Sequence, residues 1–378
     1  MKQLKITADD KIPFLRGVLE PYARVVYRPG ARISHEDVAD ADAVFTRTRT
    51  RCDATLLHDT PVRLIATATI GYDHIDTAYC EANGIRWVNA PGCNSSSVQQ
   101  YITAAIVTWV KEQRLRLADT TLGVIGVGQV GSKVAKAGAA LGMRVLLNDP
   151  PRADKEGWEP FVSLTELLRQ SDIVSCHTPL TREGPYPTLH LASDAFFGQM
   201  KPGACFINSS RGAVCSSEAL KRAMHTKLSG FLLDVWEGEP AIDPLLLEKA
   251  FIATPHIAGY SSDGKANGTA ACIREFCRFF RPDILPGWYP DTIPPPPMPT
   301  CLSIDCKGKS NEQVFYEAVT HTYPIGEDSR RLKESPEHFE KLRGDYWVRR
   351  EFNCFTLHLT HADETMAGKL SSLGFRIS

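Results

Sequence analysis

One stretch decides the fold of this chain: Leu122-Gly123-Val124-Ile125-Gly126-Val127-Gly128-Gln129-Val130-Gly131. Its apolar start is typical of a buried strand, and its end has the spacing G-x-G-x-x-G directly before a helical pattern. In that context the second glycine lets the backbone approach a pyrophosphate, and the helix N-terminus offers N–H groups and a positive dipole. The stretch therefore predicts a dinucleotide-binding loop made of Gly126, Gly128, Gln129, Val130 and Gly131.

A carboxylate follows the next predicted strand. Residues 144–148 form a short apolar run, and Asp149 stands directly after it. A carboxylate at this place accepts the ribose hydroxyl hydrogens of NAD and repels the 2′-phosphate of NADP, so NAD is the predicted cofactor. Arg152 is interpreted as a solvated loop residue. The alternative is that its positive charge weakens the discrimination against NADP.

Short apolar runs alternate with helical patterns on both sides of the glycine loop. Such runs suit strands buried on both faces, and their alternation with helices predicts parallel sheets. In the first block the predicted strands are 4–7, 24–27, 43–46, 63–67 and 86–88, and the predicted helices are 13–19, 75–83 and 98–117. In the second block the strands are 122–127, 144–148, 172–177, 204–208, 230–235 and 251–253, and the helices are 129–141, 164–169, 217–224 and 244–249.

The proline-rich segment 289–299 ends this alternation. Its six prolines cannot lie in a helix or a central strand, so the segment is interpreted as an extended linker. The predicted fold class is α/β, with two doubly wound parallel-sheet domains and a small α+β C-terminal domain. The predicted parts are a Rossmann NAD domain (98–255), a flavodoxin-like substrate domain (1–97 with 256–285), a linker (286–299) and the C-terminal domain (300–378).

Composition and charge exclude several classes of protein. Of the 378 residues, 43% are hydrophobic and 23% are charged, and the net charge of −1 gives no reason to expect nucleic acid or an anionic membrane as a partner. No stretch approaches the roughly 20 apolar residues of a membrane helix, and the charged start does not resemble a signal peptide. The eleven scattered cysteines favour a reduced, cytoplasmic protein. His358 and His361 lack a third ligand, so no metal site is predicted.

Three successive predicted strands are each followed by a polar segment: residues 208–212, 234–240 and 254–260. The carboxyl ends of parallel strands are where doubly wound sheets bind ligands. Oxidation of a secondary alcohol by NAD requires a base for the hydroxyl proton, which a histidine supplies near neutral pH. A carboxylate can orient that imidazole, and an arginine can form a fork onto a substrate carboxylate. The three segments together predict hydride-transfer chemistry beside the dinucleotide loop.

These segments resemble the catalytic segments of the D-2-hydroxyacid dehydrogenase family. The resemblance implies that Arg211 binds the substrate, that Glu239 pairs with the histidine, and that His256 is the general acid and base. Glu237 is a rival for the acidic role, and Glu239 is preferred because it directly precedes the proline. Asp234 matches the residue that contacts the nicotinamide amide in that family.

Further segments resemble a branch of the family whose substrate is a phosphorylated sugar acid: residues 67–76, 90–94, 149–154, 177–191, 255–261 and 341–352. The resemblance implies substrate contacts from Thr48, Thr69 and Tyr260. It also implies NAD contacts from Asp149, Thr178, Asp234 and Gly259. Ser209 and Ser210, which follow the predicted strand 204–208, complete the predicted cofactor contacts.

The run Arg47-Thr48-Arg49-Thr50-Arg51 is a candidate for binding the substrate phosphate. It follows an apolar strand, and in an extended run alternate residues share a face, so the three arginines would line one side. The alternative is a solvated charge cluster. Arg47 lies nearest the strand end and is the predicted substrate residue.

The tail after the linker is predicted to form a homodimer, a role that the resembled branch also implies. About 80 residues bury only a modest core, and a two-fold dimer is the commonest closed assembly. The apolar stretches 314–316 and 352–359 would then complete their burial against a second copy. The alternative is a monomeric lid or regulatory module. Whether Arg349 and Arg350 reach a neighbouring active site stays open.

The predicted function is NAD-dependent oxidation of a phosphorylated 2-hydroxy acid to its 2-oxo acid. Two alternatives stay open: a dehydrogenase for another D-2-hydroxy acid such as phosphoglycerate, and a non-catalytic NAD-sensing interaction protein on the same fold. The complete set of Arg211, Glu239 and His256 favours the enzyme, because a sensor does not need it.

Overall fold

The computed structural model describes residues 3–378, so the first two residues of the predicted substrate domain lie outside the described part. The strands, β1 to β14 in chain order, are Lys5–Asp9, Arg24–Arg28, Ala43–Thr46, Leu64–Thr67, Arg86–Val88, Thr121–Ile125, Arg144–Asn148, Ile173–Cys176, Ala204–Asn208, Leu228–Leu233, Ile252–Ala253, Cys301–Asp305, Thr356–Thr360 and Arg376–Ile377. The α-helices, α1 to α15, are His35–Val38, Ala54–Leu57, Thr77–Ala82, Ser95–Glu112, Gln129–Ala140, Pro150–Glu156, Leu164–Gln170, Asp194–Gln199, Ser217–Thr226, Pro244–Lys249, Ser262–Phe280, Asn311–Thr322, Ile325–Glu334, Phe339–Gly344 and Glu364–Leu373. Short 3₁₀ turns lie at Gly30–Arg32, Leu117–Asp119, Gly212–Val214, Pro336–His338 and Phe352–Cys354.

The first compact unit comprises the chain up to Asn94 together with Ser261–Pro294. Its five strands are all parallel, in the order β2-β1-β3-β4-β5. This is the flavodoxin-like order, and its switch point lies between β1 and β3. Helix α11 packs against β4, and Phe276 from that helix meets Phe45 of β3 edge to face, with ring centroids 6.0 Å apart. The predicted flavodoxin-like topology is confirmed.

The predicted helix at residues 13–19 is wrong. The segment forms a series of turns, in which Phe14 has a φ of 62° and Gly17 a φ of 84°. Residues in the left-handed region interrupt a right-handed helix. Leu15 and Leu19 are nevertheless fully buried. Their spacing of four residues therefore reflects burial in turns and does not indicate a helix.

The second compact unit comprises Ser95–Tyr260 together with Pro295–Ser378. Its larger sheet has six parallel strands in the order β11-β10-β9-β8-β6-β7. Beyond β7, Leu147 forms a single parallel bridge with Phe161. That bridge stands where the third strand of a Rossmann sheet lies, so the sheet keeps the Rossmann order with this strand reduced to one residue pair. The Rossmann prediction is confirmed.

The tail lies within this second compact unit. Its strands form a parallel sheet in the order β12-β13-β14, a detail that the predicted α+β layout did not include. Helix α12 packs on α4, α15 packs on α5, and α13 packs on β11. Residues 256–260, predicted to lie with the substrate domain, also belong to this unit.

Apolar residues in the tail stretches 314–316 and 352–359 are already buried within their own chain. Val314 and Phe315 of α12 are 2% and 0% exposed, and Phe355 and Leu357 are fully buried. All four belong to one core that also contains residues of α4, so they complete their burial within their own chain. The interpretation that these four residues need a second copy to complete their burial is therefore wrong, because residues of their own chain already cover them.

Phe315→Ala should destabilise the chain strongly, because it empties a fully buried site in the core that α12 and α4 share. We expect a loss of about 3–5 kcal/mol in the free energy of unfolding, measured by denaturant titration. Phe279→Ala is the matched control, since Phe279 is 39% exposed, and we expect it to cost at most about 1.5 kcal/mol. Equal losses from both variants would contradict the packing described for the tail.

Candidate active site

The dinucleotide loop lies between β6 and α5, at the switch point of the six-stranded sheet. Gly131 packs against the loop so closely that an added Cβ would stand 1.9 Å from the Gly126 carbonyl oxygen. Gly128 caps α5, and an added Cβ there would meet no atom within 4 Å. Gly128 and Gln129 are exposed and Val130 is half-buried. The loop therefore presents open space in front of a helix N-terminus, which suits a pyrophosphate.

Asp149 directly follows β7, caps the N-terminus of α6 and binds the neighbouring backbone. Its Oδ2 accepts from the Val127 N–H at 2.8 Å, and its Oδ1 accepts from the Arg152 N–H at 3.1 Å at the start of α6. The carboxylate thus lies against the dinucleotide loop, as an NAD ribose contact requires.

The side chain of Arg152 is 38% exposed, as predicted for a solvated residue, but the residue lies on a helix rather than in a loop. It lies on α6, where its Nη1 donates to the Val127 carbonyl oxygen at 2.7 Å and its other guanidinium nitrogens pair with Glu156. The guanidinium also lies 5.2 Å from the centre of the Phe161 ring. A cation therefore stands directly beside Asp149 and the dinucleotide loop.

Five buried hydroxyls have no hydrogen-bond partner among the described residues, and two of them follow strands of the six-stranded sheet. These two are Thr178 Oγ1, after β8, and Ser209 Oγ, after β9. Buried polar atoms in proteins are rarely left without partners, and a ligand is one of the groups that can satisfy them. Both residues were predicted to contact the cofactor, so these two hydroxyls fit a dinucleotide along this sheet edge.

The segment after β9 is held by a local network. Both the N–H and the hydroxyl of Ser210 donate to Asn208 Oδ1, at 3.1 and 2.8 Å, and Asn208 Nδ2 donates to the Arg211 carbonyl oxygen at 3.0 Å. An added Cβ on Gly212 would stand 2.0 Å from the Trp236 carbonyl oxygen, so only glycine fits there. The half-buried Arg211 is thereby placed beside the segment that follows β10.

The structure brings Glu239 and His256 together. His256 Nδ1 lies 2.8 Å from Glu239 Oε2, while Glu239 Oε1 accepts from the Trp236 N–H at 2.7 Å. Burial raises the pKa of Glu239, but the hydrogen bond and charge of His256 outweigh it, so the pKa is lowered below its usual value. The carboxylate is thus ionised and oriented towards the imidazole, which suits a general acid and base.

Glu237, the rival acid, is engaged elsewhere. Its Oε1 lies 2.6 Å from His190 Nε2, and its Oε2 accepts from the Ser217 N–H at 3.0 Å. The geometry therefore favours Glu239 as the partner of His256, in agreement with the choice made from the sequence.

Asp234 is a buried anchor for the segment that carries His256. Its Oδ1 accepts from the Ile257 N–H and the Thr254 hydroxyl, both at 2.7 Å, and its Oδ2 accepts from the Ala258 N–H at 2.9 Å. Burial raises the pKa of this carboxyl, although the charge of His256 and these hydrogen bonds act in the opposite direction. Its contact with the nicotinamide amide stays a prediction.

Gly259 and Tyr260 end the same segment and are both half-buried. The Tyr260 hydroxyl accepts from Arg343 Nη2 at 3.1 Å, and the Arg343 guanidinium lies 5.7 Å from the ring centre. Arg343 also contributes to the lowered pKa of Glu239. Sequence reasoning missed this arginine of α14, because the run 341–352 supported a family resemblance without assigning a role to any of its residues.

The predicted substrate residues of the first unit gather at the carboxyl edge of its sheet. Arg47 and Thr48 follow β3, and Thr69 follows the neighbouring strand β4. Arg47 Nη1 donates to the Lys11 carbonyl oxygen at 3.2 Å, across the switch point between β1 and β3. Thr69 Oγ1 lies 2.8 Å from Thr67 Oγ1 and donates to the Gly71 carbonyl oxygen at 2.9 Å. The switch point is where sheets of this order bind ligands.

Arg47 and Arg51, at the two ends of the run, differ in their exposure to solvent. Arg51 is 85% exposed and pairs with Asp53 at 2.7 Å, so it behaves as a solvated residue. Thr50 between them is buried and donates to the Gly30 carbonyl oxygen. Arg47 is the half-buried one, in keeping with its choice as the substrate residue.

No helix within residues 3–378 is both long and apolar enough to cross a bilayer. In the same range, no three His, Cys, Asp or Glu side chains come together as metal ligands.

Comparison with known families agrees with this geometry. Residues 97–258 match the family model of the D-isomer specific 2-hydroxyacid dehydrogenase NAD-binding domain. Residues 294–374 match a domain of unknown function. The first match spans the dinucleotide loop and every strand end of the six-stranded sheet described above.

Similar proteins and solved structures narrow the assignment. Erythronate-4-phosphate dehydrogenase of Bacteroides thetaiotaomicron is 47% identical over 94% of this chain and 99% of its own length, and that of Escherichia coli is 37% identical over 98% of each. The structure of D-lactate dehydrogenase from Aquifex aeolicus with NAD and lactic acid is 27% identical, with a TM-score of 0.61, and covers 74% of this chain and 96% of its own. The chain therefore belongs to the D-isomer specific 2-hydroxyacid dehydrogenase family, in its erythronate-4-phosphate dehydrogenase branch, and is an NAD-dependent oxidoreductase.

Proposed function

We propose that this chain oxidises 4-phospho-D-erythronate to (R)-3-hydroxy-2-oxo-4-phosphooxybutanoate, a step of vitamin B6 (pyridoxal 5′-phosphate) biosynthesis in the cytoplasm. The observation that carries the proposal is the His256–Glu239 pair, with Arg211 after the neighbouring strand β9, in a chain 47% identical to a protein of that named activity. The substrate class follows from that relative's name, and the chemistry follows from the pair.

Each side chain has one task in the proposed reaction. His256 removes the proton of the C2 hydroxyl while the C2–H bond breaks and the C2=O bond forms. NAD, when bound, accepts the hydride and its electron pair. Glu239 holds the imidazole through Nδ1 and stabilises the imidazolium that forms. Arg211 binds the substrate carboxylate by a two-pronged hydrogen bond.

The remaining predicted residues fall into two groups. We assign the dinucleotide to the loop Gly126, Gly128, Gln129, Val130 and Gly131 and to Asp149, Thr178, Ser209, Ser210, Asp234 and Gly259. The substrate contacts are assigned to Arg47, Thr48, Thr69 and Tyr260. Two of the buried hydroxyls without partners, Thr178 Oγ1 and Ser209 Oγ, support the first assignment.

A substrate panel tests this function. The purified chain receives NAD with 4-phosphoerythronate, unphosphorylated erythronate or phosphoglycerate, and the formation of NADH is followed by absorbance. We expect kcat/KM to be highest with 4-phosphoerythronate. A preference for phosphoglycerate would support that substrate instead, and no turnover with any hydroxy acid would support a sensor of NAD.

Arg47→Gln should weaken binding of the phosphorylated substrate, because it removes a cation at the switch point of the first unit's sheet. A lost hydrogen bond to a charged group is worth about 1.5–3 kcal/mol, so KM should rise roughly 10- to 100-fold with 4-phosphoerythronate and stay unchanged with erythronate. Arg51→Gln, at an 85% exposed residue, is the matched control. An equal rise of KM for both substrates would exclude Arg47 from phosphate recognition.

Asp149→Ser should narrow the preference for NAD over NADP. The variant removes the carboxylate that repels a 2′-phosphate and leaves Arg152 beside the same loop. We expect the ratio of kcat/KM values for the two cofactors to fall by at least about tenfold. Asp154→Ser changes another carboxylate of α6 and should leave the ratio unaltered. A wild-type chain that uses both cofactors equally would contradict the role of Asp149.

We also propose a two-fold homodimer formed by the tail, residues 300–378. The face of its sheet that carries Cys301, Ser303 and His358 is exposed, while Ile304 and Leu357 on the other face are buried. Most soluble oligomers are homo-oligomers, and the two-fold dimer is the commonest of them. Light scattering should give the mass of two chains for the wild type and of one chain for Ser303→Arg. A dimer that survives this substitution would place the contact elsewhere.

A further inference from the structure

We propose that the tail completes the catalytic site of its own chain, with Arg349 as a positioning residue that fixes the segment carrying His256. This segment, residues 254–260, is called the histidine loop below. The proposal rests on the function proposed for His256, and it assigns a task to the region that matches a domain of unknown function.

Arg349 is fully buried and directs its hydrogen bonds at the histidine loop. Its Nη2 donates to the Ala258 carbonyl oxygen at 2.5 Å and to the Ile257 carbonyl oxygen at 3.3 Å. The same nitrogen donates to the hydroxyl of Ser97, which itself donates to the Ala258 carbonyl oxygen at 2.8 Å. The guanidinium therefore binds main-chain atoms of the two residues that follow His256.

The same two residues are held from the other side by Asp234. Its carboxylate accepts from the N–H groups of Ile257 and Ala258, at 2.7 and 2.9 Å. A buried anion thus takes both N–H groups, and a buried cation takes both carbonyl groups. Two residues of backbone are bound between opposite charges, which leaves this part of the loop little freedom to shift.

His256 needs such support, because its backbone conformation is energetically unfavourable. Its φ is 57°, in the left-handed region that histidine seldom adopts. A conformation of this kind persists only when the surrounding structure determines it strongly. The bonds from Asp234 and Arg349 to the next two residues supply that constraint directly after the strained position.

The guanidinium is itself fixed by aromatic rings of the tail. It lies 4.5 Å from the centre of the Tyr323 ring and 5.7 Å from that of Tyr346. The buried Asp328 accepts from the Tyr346 hydroxyl at 2.7 Å and from Trp347 Nε1 at 3.3 Å, so the rings are held in turn. Next to Asp328 on α13, the Ser329 hydroxyl accepts from the Ala253 N–H at 3.0 Å, just before the loop.

Stability alone does not account for this arrangement. Replacing a buried charge network by well-packed apolar side chains is often neutral or stabilising, because removing charges from water is costly. A buried arginine that binds the main chain beside the catalytic histidine is better explained by precise placement of that histidine. Misplacement by about 1 Å can lower a catalytic rate roughly 100-fold.

The test compares Arg349→Met with Arg331→Met in the full-length chain. Arg331 also lies on the tail, but it is 48% exposed and pairs with Glu327 on the surface. For Arg349→Met we expect kcat to fall roughly 10- to 100-fold, while the dissociation constant for NAD and the KM for substrate stay within about twofold. For Arg331→Met we expect all three to match the wild type. A folded Arg349→Met variant with wild-type kcat would overturn the proposal.

Chemical rescue separates positioning from general damage. A cavity of about 220 Å³ is lined by Pro255, Ile257, Tyr346 and Trp347 among others, and two of these residues, Ile257 and Tyr346, form hydrogen bonds with Arg349. We expect a small cation to reach the position of the deleted side chain through this cavity. Added guanidinium at concentrations too low to denature the protein should restore part of the kcat of Arg349→Ala. Ammonium, which lacks the planar fork, should not restore it. No rescue by guanidinium, or equal rescue by both cations, would contradict the proposed role.

A milder variant keeps the proposal testable if the Arg349 variants fail to fold. Tyr346→Phe removes only the hydroxyl that bonds Asp328, and we expect kcat to fall several-fold with an unchanged dissociation constant for NAD. An unchanged kcat in this variant would count against the positioning role of Arg349. All assays use the 2-hydroxy acid that the wild type oxidises best. An inactive wild type would refute the proposed function. An active wild type with equally active variants would refute only the positioning role of Arg349.

Discussion

His256→Asn should lower kcat roughly 10²–10⁴-fold while NAD binding stays nearly intact. The variant removes the group that takes the proton from the C2 hydroxyl and keeps a polar side chain of similar position beside Glu239. Because His256 lies after β11 and the dinucleotide loop lies after β6, we expect the substitution to leave the loop unaltered. The measurements are steady-state kinetics with saturating NAD and a direct titration of NAD binding.

His190→Asn is the matched control for this experiment. His190 also pairs with a glutamate, Glu237, at 2.6 Å, but its side chain is 46% exposed and lies outside the proposed site. Its kcat should stay within about twofold of the wild type. Near-normal turnover by His256→Asn would remove His256 from the mechanism, and an equal loss in both variants would point to a general effect of losing a histidine.

Arg211→Lys should lower kcat/KM nearly as strongly as His256→Asn lowers kcat, although it keeps the positive charge. A lysine cannot reproduce the planar fork that binds both oxygens of a carboxylate. Losing one partner of a desolvated charge pair costs about 2–5 kcal/mol, which corresponds to a decrease of roughly 30- to several-thousand-fold in kcat/KM. The affinity for NAD should change little, since Arg211 is assigned to the substrate.

Arg222→Lys controls for the chemical change itself. Arg222 forms a fork onto Asp194 with two bonds of 2.8 Å on the surface, where its side chain is 59% exposed. Exposed pairs contribute little, so this variant should keep its kcat/KM. If Arg211→Lys also retained its activity, recognition of the substrate carboxylate would have to come from another residue.

Much of the second unit could be predicted from the sequence because its signals are local. The glycine spacing and the apolar run before it predicted α5 to within one residue, and the strand at residues 204–208 was predicted without error. Buried parallel strands are continuous apolar runs, and helix termini carry recognisable capping residues. The pairing of His256 with Glu239 was accessible for the same reason, since both residues follow neighbouring strands of one sheet.

Other features depend on contacts that leave no pattern in the sequence. The burial of Leu15 and Leu19 has helical spacing but occurs in turns. Phe315 is apolar whether it covers a second copy or α4 of its own chain, so the sequence could not distinguish the two. Arg349 binds main-chain oxygens of residues more than 90 positions away, and a main-chain partner places no requirement on residue type.

The transfer of deuterium from C2 of the substrate tests the central claim most directly. The wild-type chain is given NAD and 4-phosphoerythronate that carries deuterium at C2, and the reduced cofactor is examined by mass spectrometry. The mechanism predicts one deuterium in each NADH formed, together with an equal amount of the 2-oxo acid, because the hydride comes from C2 while the hydroxyl proton goes to His256. NADH without deuterium, or the absence of NADH from a folded chain that binds NAD, would contradict the proposed reaction.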